Sequence, residues 1–368
     1  DATHPEPGQD AGDIQISLQS NADRAGVAEV RGQSALANGT ERPLHQSLVF
    51  GDIGSISLIA NGGNGGQGGN GGVGQNGGKG HDGSDATRWS SGGDGGRGGD
   101  GGDGGNGTGG ERGGDGGQIV VNVDDQDTHL LMLVKHESSG GTGGEPGENG
   151  RGGDAGSGGD GGSSHSWTTT STSHSTDSQG RSQSRTTTHH HRNPGGSDGP
   201  RGRSGQSGRA VLASGSPGED GDFRIHVRIN GEVVQYLQRY EVEIVDYQLD
   251  LQDSVAEPTS TLTVSKMRVR NRGGMPTPAS FPVVVELADS RWVQPDPLTL
   301  EIPRPLEPGE DFLFDQEVLT ARVCELDTVP IGDPLSETER INPLAEQTGV
   351  GRRFQNLHPR KDFTVAFP

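Results

Sequence analysis

The residues best suited to bind a ligand lie in two stretches, 84–91 and 163–194, that interrupt a glycine-dominated region. They are Arg88, Trp89, Trp167 and the run His189, His190 and His191. Tryptophan offers a broad apolar face with one polar edge, and it is enriched at interfaces. We therefore expect either a binding tip, where the rings stack on a sugar or a neighbouring molecule, or an end cap that covers the glycine-rich segments.

The stretch 163–194 consists mostly of Ser, Thr and His, and it reads as a disordered insertion or a substrate for O-glycosylation. A histidine run can bind a metal, but metal sites usually draw on ligands held by a rigid frame, so we expect no metal here. Its charges are Asp177 against Arg181, Arg185 and Arg192. Such a local excess of cations favours an anionic partner.

Aspartates recur at the non-glycine position of glycine triplets, namely Asp94, Asp100, Asp103, Asp115 and Asp160. In a helix with three residues per turn they line one face about 9 Å apart. One interpretation is a ladder that binds calcium or orders water. The other is a solvated face that keeps neighbouring molecules apart. We expect no cofactor, with calcium on this ladder as the single alternative.

Two sequons, Asn38-Gly39-Thr40 and Asn106-Gly107-Thr108, make Asn38 and Asn106 candidates for N-glycosylation. The glycine repeat by itself produces patterns that resemble nucleotide-binding motifs, but these patterns lack the strand–turn–helix context that such motifs need. No Ser, His and Asp are spaced as a catalytic triad. We therefore predict a protein that is not an enzyme.

Composition excludes several classes of protein. The chain has 368 residues with 67 Gly, only 26% hydrophobic residues and a net charge of -21. The acidic charge argues against nucleic-acid binding, and no run of about 20 apolar residues is present to span a bilayer. One Cys allows no internal disulfide. Since the chain starts at Asp1, we expect a processed product or a fragment. Separately, we expect a protein that is secreted or displayed at the cell surface.

Glycine recurs at every third residue in four runs, 62–83, 92–116, 141–162 and 196–208. Three residues per turn is the repeat of the polyproline II family of helices. Collagen is excluded because Pro is absent from the first two runs, and many triplets carry a second Gly instead. The pattern predicts left-handed polyglycine II helices that pack through main-chain hydrogen bonds.

Strand-like stretches flank these runs and are expected to gather into a small sheet at one end. They are residues 13–18, 52–60, 118–124, 129–136 and 223–229. The loops 84–91 and 163–194 would then lie together at the far end. Over about 52–222 the chain resembles the polyglycine II bundle proteins, which include the springtail antifreeze protein and the tail-tip adhesins of some phages. The resemblance implies a bundle and no particular activity.

After Phe223 the sequence becomes rich in β-branched and aromatic residues. Asn230-Gly231 predicts a two-residue hairpin turn. Further strands are expected at 241–251, 261–270, 281–287, 298–302, 312–323 and 362–367. Their short length and spacing indicate a β-sandwich. The stretches 264–273 and 306–310 resemble the immunoglobulin-like CARDB-type modules of bacterial surface proteins over about 241–325, which implies a spacer or adhesion module.

We thus predict four parts: an N-terminal extension with a strand (1–50), a polyglycine II bundle with a β-layer (51–237), an Ig-like sandwich (238–325) and an irregular tail (326–368). The last strand of the tail is expected to be detached. Almost no α-helix is expected anywhere in the chain. The leading function is a subunit of an extracellular fibre or matrix that binds copies of itself by strand donation. The assembly residues would be Phe363, Val365 and Phe367. The alternative to donation is that each terminal strand completes its own sheet.

A second candidate function is an adhesin that binds a glycan or a surface through the two tip loops. A third is an ice-binding or cation-binding bundle. It ranks last because the faces of the bundle are rich in Asp and Arg.

Overall fold

Regular structure in this chain is almost entirely β. A computed structural model describes residues 2–36, 38–50, 54–251, 254–324, 336–354 and 361–366, of which 336, 337, 365 and 366 by their backbone only. The chain divides into two units. Unit 1 comprises Asp1–Gln9, Gly63–Gly114 and Gly141–Gly218, and unit 2 comprises Asp10–Gly62, Asp115–Gly140 and Glu219–Pro368. No helix in the described ranges is long and apolar enough to cross a membrane.

Apart from the hairpin at 165–193, unit 1 is built from five extended segments without helix or strand, four of them rich in glycine. They are g1 (2–9), g2 (63–86), g3 (92–114), g4 (141–163) and g5 (194–218). The main-chain N–H of every third residue donates to a carbonyl of a neighbouring segment. Gly95 donates to Ser197 at 2.9 Å, Gly98 to Pro200 at 3.0 Å and Gly101 to Arg203 at 2.8 Å. The period of three therefore repeats as a ladder of inter-segment hydrogen bonds.

The direction of these bonds sorts the segments into two layers. Within a layer the segments run parallel: g3 pairs with g1 and with g5, and g2 pairs with g4. Between the layers they run antiparallel, as where Gly96 donates to His81 and Gly99 to Gly78. Segment g3 bonds to all four others, so it is the centre of the unit. Residues 2–9, which the sequence analysis assigned to the N-terminal extension, bond to this bundle.

The close approach of the segments requires glycine at the inward positions. A Cβ on Gly101 would lie 2.2 Å from the carbonyl oxygen of Gly153, and one on Gly74 would lie 1.9 Å from that of Gly102. A Cβ on Gly78 would instead point into open space. Glycine at every third residue is thus a steric requirement, whereas some of the glycines between these positions could carry a side chain.

A six-stranded sheet opens unit 2, in the spatial order β10-β9-β5-β1-β2-β3. Its strands are β1 (Ile14–Ser20), β2 (Val27–Ala35), β3 (Glu41–Val49), β5 (Ile119–Asp124), β9 (Phe223–Ile229) and β10 (Glu232–Tyr236). The strands predicted at 13–18, 118–124 and 223–229 are confirmed and pair in parallel. Asn230 and Gly231 both have positive φ, as a two-residue hairpin turn of this kind requires.

Strands β4 (Ile56–Ile59) and β6 (Val134–Glu137) form a separate parallel pair. The expected strand over 129–136 is wrong for most of its length, because residues Asp125–Leu133 form a 3-10 helix. That helix buries Leu130, Leu131 and Leu133 in the core. Of the predicted strand 52–60, residues 52 and 53 lie outside the described residues.

The two edges of the six-stranded sheet differ. Phe50 N–H donates to Gly26 O, and bonded pairs then recur at every second residue along β2 and β3. Pro43 falls at a position between these pairs, so its main-chain N and O face away from β2. Proline has no N–H, so this edge offers one donor fewer to an incoming strand. At the other edge, β10 exposes Val233.

Three further sheets form the β-rich part. The first contains β11 (Val242–Asp250), β13 (Thr261–Asn271), β15 (Val293–Pro295), β17 (Asp311–Phe314) and β18 (Leu319–Val323). The second contains β14 (Val283–Leu287), β16 (Leu300–Glu301), β20 (Pro343–Gln347) and β21 (Arg352–Arg353). Alternating inward residues of both sheets share one core, which includes Tyr247, Val264 and Val285. The all-β sandwich prediction is consistent with this arrangement.

The third sheet contains β12 (Val255–Ala256), β19 (Ser336–Ile341) and β22 (Lys361–Ala366). The expectation of an irregular tail is wrong for residues 336–347 and for 352–353, which form β19, β20 and β21. The expectation of a detached last strand is also wrong, because β22 pairs with both β12 and β19 of its own chain. Residues 336–340 are all polar, so this strand lacks the apolar residues by which the other strands were predicted.

Candidate functional site

The long tip loop is an ordered hairpin, and the prediction of a disordered insertion is wrong. Strands β7 (His165–Thr176) and β8 (Ser182–Asn193) pair along their whole length. Asp177 shapes the turn, since its Oδ1 accepts hydrogen bonds from the N–H groups of Gln179 and Arg181 at 2.9 and 2.8 Å. Threonine favours strands, but a strand exposed on both faces lacks the apolar alternation by which strands are recognised.

One face of the hairpin carries a row of stacked rings at its base. The ring centroids of Trp167 and His191 are 5.2 Å apart with 14° between the planes. His165 also stacks on Trp167, with centroids 5.7 Å apart and 24° between the planes. Thr169 Oγ1 lies 2.8 Å from His191 Nε2, and Ser171 Oγ lies 3.2 Å from His189 Nε2. Rings and hydroxyls therefore share a single face.

The three consecutive histidines do not act together. Successive strand residues point to opposite faces, so His189 and His191 share the face of Trp167 while His190 lies on the other. In the described part of the chain no group of three potential metal ligands comes together.

The short tip loop is a tight turn beside the base of the hairpin. Thr87 N–H donates to Ser90 O at 2.9 Å, and Asn193 Nδ2 donates to Thr87 O at 2.7 Å. The expectation that the two loops lie together is thereby confirmed. Asn193, which the sequence did not single out, joins them.

Trp89 projects from this turn into solvent. Its side chain is 85% exposed, and the Arg88 guanidinium carbon lies 5.3 Å from the centre of its ring. A ring with this exposure covers no open segment end, so the end-cap interpretation is wrong for Trp89. Its ring offers a broad apolar face with one polar edge, a combination that is enriched at interfaces.

Charge on the hairpin is predominantly positive. Its one carboxylate, Asp177, is engaged by main-chain N–H groups of the turn. Arg181 and Arg185 are exposed, and Arg192 donates to Ser164 Oγ at 3.1 Å. These cations and Arg88 stand out on a chain whose net charge is -21.

The aspartates of the predicted ladder bond to neighbouring segments. Asp94, Asp100 and Asp103 each accept a hydrogen bond at 2.7 Å through Oδ1, from the N–H groups of Ser197, Arg203 and Gln206. Asp115 accepts from Glu219 N–H in the same way within unit 2, and Asp160 pairs with Lys79 at 3.0 Å. These carboxylates satisfy donors of neighbouring segments, a role that the sequence analysis did not consider.

The two sequons differ in their surroundings. Asn38 lies in an exposed turn, where its Oδ1 accepts a hydrogen bond from Thr40 N–H at 3.0 Å. Asn106 Oδ1 accepts hydrogen bonds from the N–H groups of Arg209 and Ala210, and the sequon residue Thr108 is buried. Asn38 is therefore the better acceptor for a glycan.

The terminal strands complete sheets of their own chain. Strand β1 lies between β5 and β2, and β22 lies between β12 and β19. The Phe363 side chain is 2% exposed. The backbone of Val365 pairs with Glu337 and Ala256, and Phe367 lies outside the described residues. Of the two arrangements that the sequence left open, the structure has the one without donation.

Residues 241–367 match a family model described as a domain of unknown function, DUF7932. The match covers the β-rich part and leaves every glycine segment outside it. Searches among curated proteins and among solved structures found no match. The β-rich part is thus similar to a family whose description states no function.

Proposed function

We propose that this protein is a non-enzymatic, secreted or surface-displayed adhesin that binds a glycan through its tip. The tip is defined here as residues 84–91 together with the hairpin 163–194. The observation that carries the proposal is the 85% exposed side chain of Trp89 beside Arg88. Trp and Arg, together with Tyr, are the residues most enriched at binding hot spots.

The scaffold of the proposed adhesin is a polyglycine II bundle. Support comes from the ladder of hydrogen bonds at every third residue and from inward positions where a Cβ would collide with a neighbouring carbonyl. Such a bundle holds its tip without an apolar core. Rigid presentation lowers the entropy lost when the tip binds.

The chemistry of the tip fits a sugar. Trp89 and the half-buried Trp167 offer apolar faces on which the C–H groups of a pyranose ring can stack. Ser, Thr and Arg side chains nearby offer hydrogen-bond partners for hydroxyl and carboxylate groups. The cations favour an acidic glycan over a neutral one.

Binding to immobilised neutral and acidic glycans tests the proposal. We expect Trp89→Ala to abolish binding and Trp167→Ala to weaken it at least tenfold, with unchanged melting temperatures. Val211→Ala is the matched control, because Val211 is fully exposed on g5 and outside the tip. Unchanged binding by both Trp variants, or no binding by the wild-type protein, would refute the adhesin.

A second candidate, self-association, is supported by the open edge of β10. Val233 and Leu237 are 61% and 66% exposed at or just beyond this edge. Pro43 weakens the opposite edge, so pairing of β10 with its copy would give a dimer instead of a filament. Val233→Lys should convert such a dimer into a monomer in light scattering. A wild-type protein that is monomeric at all concentrations excludes this function and leaves the adhesin untouched.

A further inference from the structure

A cavity of about 630 Å³ lies within unit 2, apart from the tip. Its wall comes from the end of the 3-10 helix and β6, the start of β9, and the main chain at 237–241 and 272–273. Small-molecule sites usually enclose 300–1,000 Å³ and combine an apolar lining with a few polar groups. The volume of this cavity therefore suits a small organic molecule.

One wall of the cavity is flat and apolar. The rings of His136 and Phe223 stack with centroids 3.6 Å apart and 2° between their planes. Burial and the nearby Arg239 charge lower the pKa of His136, so its imidazole is neutral at pH 7. Leu131 and Ile225 lie beside this pair and are buried. The wall offers a surface on which an aromatic ring can stack.

The rim of the cavity is cationic. Lys135, Arg239 and Arg272 line it, against a single carboxylate, Glu241. Arg239 is held by Glu241 at 3.3 Å, and Arg272 lies 3.7 Å from Glu243. No carboxylate among the described residues lies within ion-pair distance of Lys135. An ammonium without a partner at the mouth of a cavity is available to an anion.

The main chain brings two of these cations together. A Cβ on Gly273 would lie 2.3 Å from Arg239 O and 2.5 Å from Glu241 N, so only glycine permits this approach. Arg272 and Arg239 therefore lie on two main-chain segments that are in direct contact. The arrangement keeps positive charge on one side of the cavity, in a chain with a large negative net charge.

We propose that this cavity binds a small amphipathic organic anion, with its carboxylate or sulfonate at Lys135 and Arg272 and its flat apolar body on the His136–Phe223 pair. A neutral molecule of the same shape gains only the stacking and the apolar contacts. An inorganic anion gains only the charge. The site therefore requires both parts in one ligand.

Two fluorescent probes of similar shape separate these contributions. They are the anionic 8-anilinonaphthalene-1-sulfonate and the neutral N-phenyl-1-naphthylamine. We expect saturable binding of one sulfonate probe per chain, weakened by salt because the ion pairs are screened. Lys135→Gln and Arg272→Gln should each lower its affinity about tenfold, as loss of a charge-assisted hydrogen bond implies, and leave the neutral probe unchanged.

Arg31→Gln is the control, because Arg31 is an exposed cation on β2 of the same unit. Circular dichroism melts of each variant check that the fold persists, which we expect because Lys135 and Arg272 are exposed. Equal affinity for the two probes, absence of saturable sulfonate binding, or equal effects of Arg31→Gln and the rim variants would overturn the proposal.

Discussion

Asn64 and Thr142, 78 residues apart in the chain, are joined by a hydrogen bond of 3.0 Å from the Thr142 N–H to the Asn64 Oδ1. The same offset recurs for Asn70 with Glu148 and for Asn76 with Asp154, each at 2.8 Å. A constant offset means that g2 and g4 keep one register along their length. The side chains at non-glycine positions therefore add a second set of bonds to the main-chain ladder.

These side-chain bonds predict that Asn76 matters through its carbonyl oxygen. Asn76→Leu leaves the Asp154 N–H without its acceptor and should destabilise unit 1 by about 1 kcal/mol. Asn76→Asp retains an acceptor oxygen and is the control. Amide hydrogen exchange at Asp154 measures the difference. Equal exchange rates in both variants would show that water replaces the bond at no cost.

The inward glycines predict a steric difference between two Gly→Ala substitutions. A Cβ on Gly101 would lie 2.2 Å from Gly153 O, whereas one on Gly78 meets nothing within 4 Å. We expect Gly101→Ala to destabilise unit 1 by about 3 kcal/mol, at the upper end for overpacking, and Gly78→Ala to change its stability by less than about 1 kcal/mol. Thermal melts provide the measurement. A similar loss from both variants would contradict close packing of the glycine segments.

His129 predicts a pH dependence of the stability of unit 2. Its side chain is 1% exposed, its ring centroid lies 4.0 Å from that of Phe281, and its Nδ1 has no hydrogen-bond partner in the described part of the chain. Burial lowers the pKa of His129, although the nearby Asp127 charge opposes this effect. The unfolded chain therefore binds a proton at a higher pH than the folded chain does.

The sign follows from that difference in proton binding. Stability should be constant above the unfolded pKa of about 6.5 and fall as the pH decreases below it. His129→Phe removes this proton site and should reduce the slope of the profile between pH 7 and pH 5, while His136, whose pKa is also lowered, still contributes. Urea titrations of the wild-type protein and the variant at several pH values test this. A wild-type profile that rises towards pH 5 would mean that the folded state holds the proton.

The C-terminal strand predicts a loss of stability on truncation. Phe363 is buried, and Tyr247 links β22 to the first sandwich sheet because its hydroxyl accepts the Lys361 N–H at 2.9 Å. Deleting residues 361–368 should destabilise unit 2, and Phe363→Ala alone should cost about 3 kcal/mol. Chemical denaturation with light scattering distinguishes the alternatives. A truncated protein that remains a stable monomer would favour donation of this strand to another chain.

The sequence alone determined the elements whose signal is local. Glycine at every third position predicted extended segments and identified the inward residues, since a steric requirement for glycine repeats with the helical period. Asn230-Gly231 predicted its hairpin turn, because both residues tolerate positive φ. Apolar alternation placed β5, β9 and β13 to within one residue or two.

Only the tertiary structure decided which segments are neighbours and what the polar residues do. The spacing of Asp100 suits a cation ladder or an inter-segment bond equally, and only the tertiary structure brings Arg203 N–H to its Oδ1. The hairpin 163–194 carries no apolar periodicity, so its sequence does not predict the pairing of its strands. The tertiary structure shows that pairing, with the His191 ring stacked on Trp167. The apolar residues in 129–133 predicted a strand but lie in a 3-10 helix. A short helix can bury these leucines as well as a strand can, so their apolar character does not distinguish the two. Long-range partners depend on the whole chain, and a local pattern of residue types does not contain them.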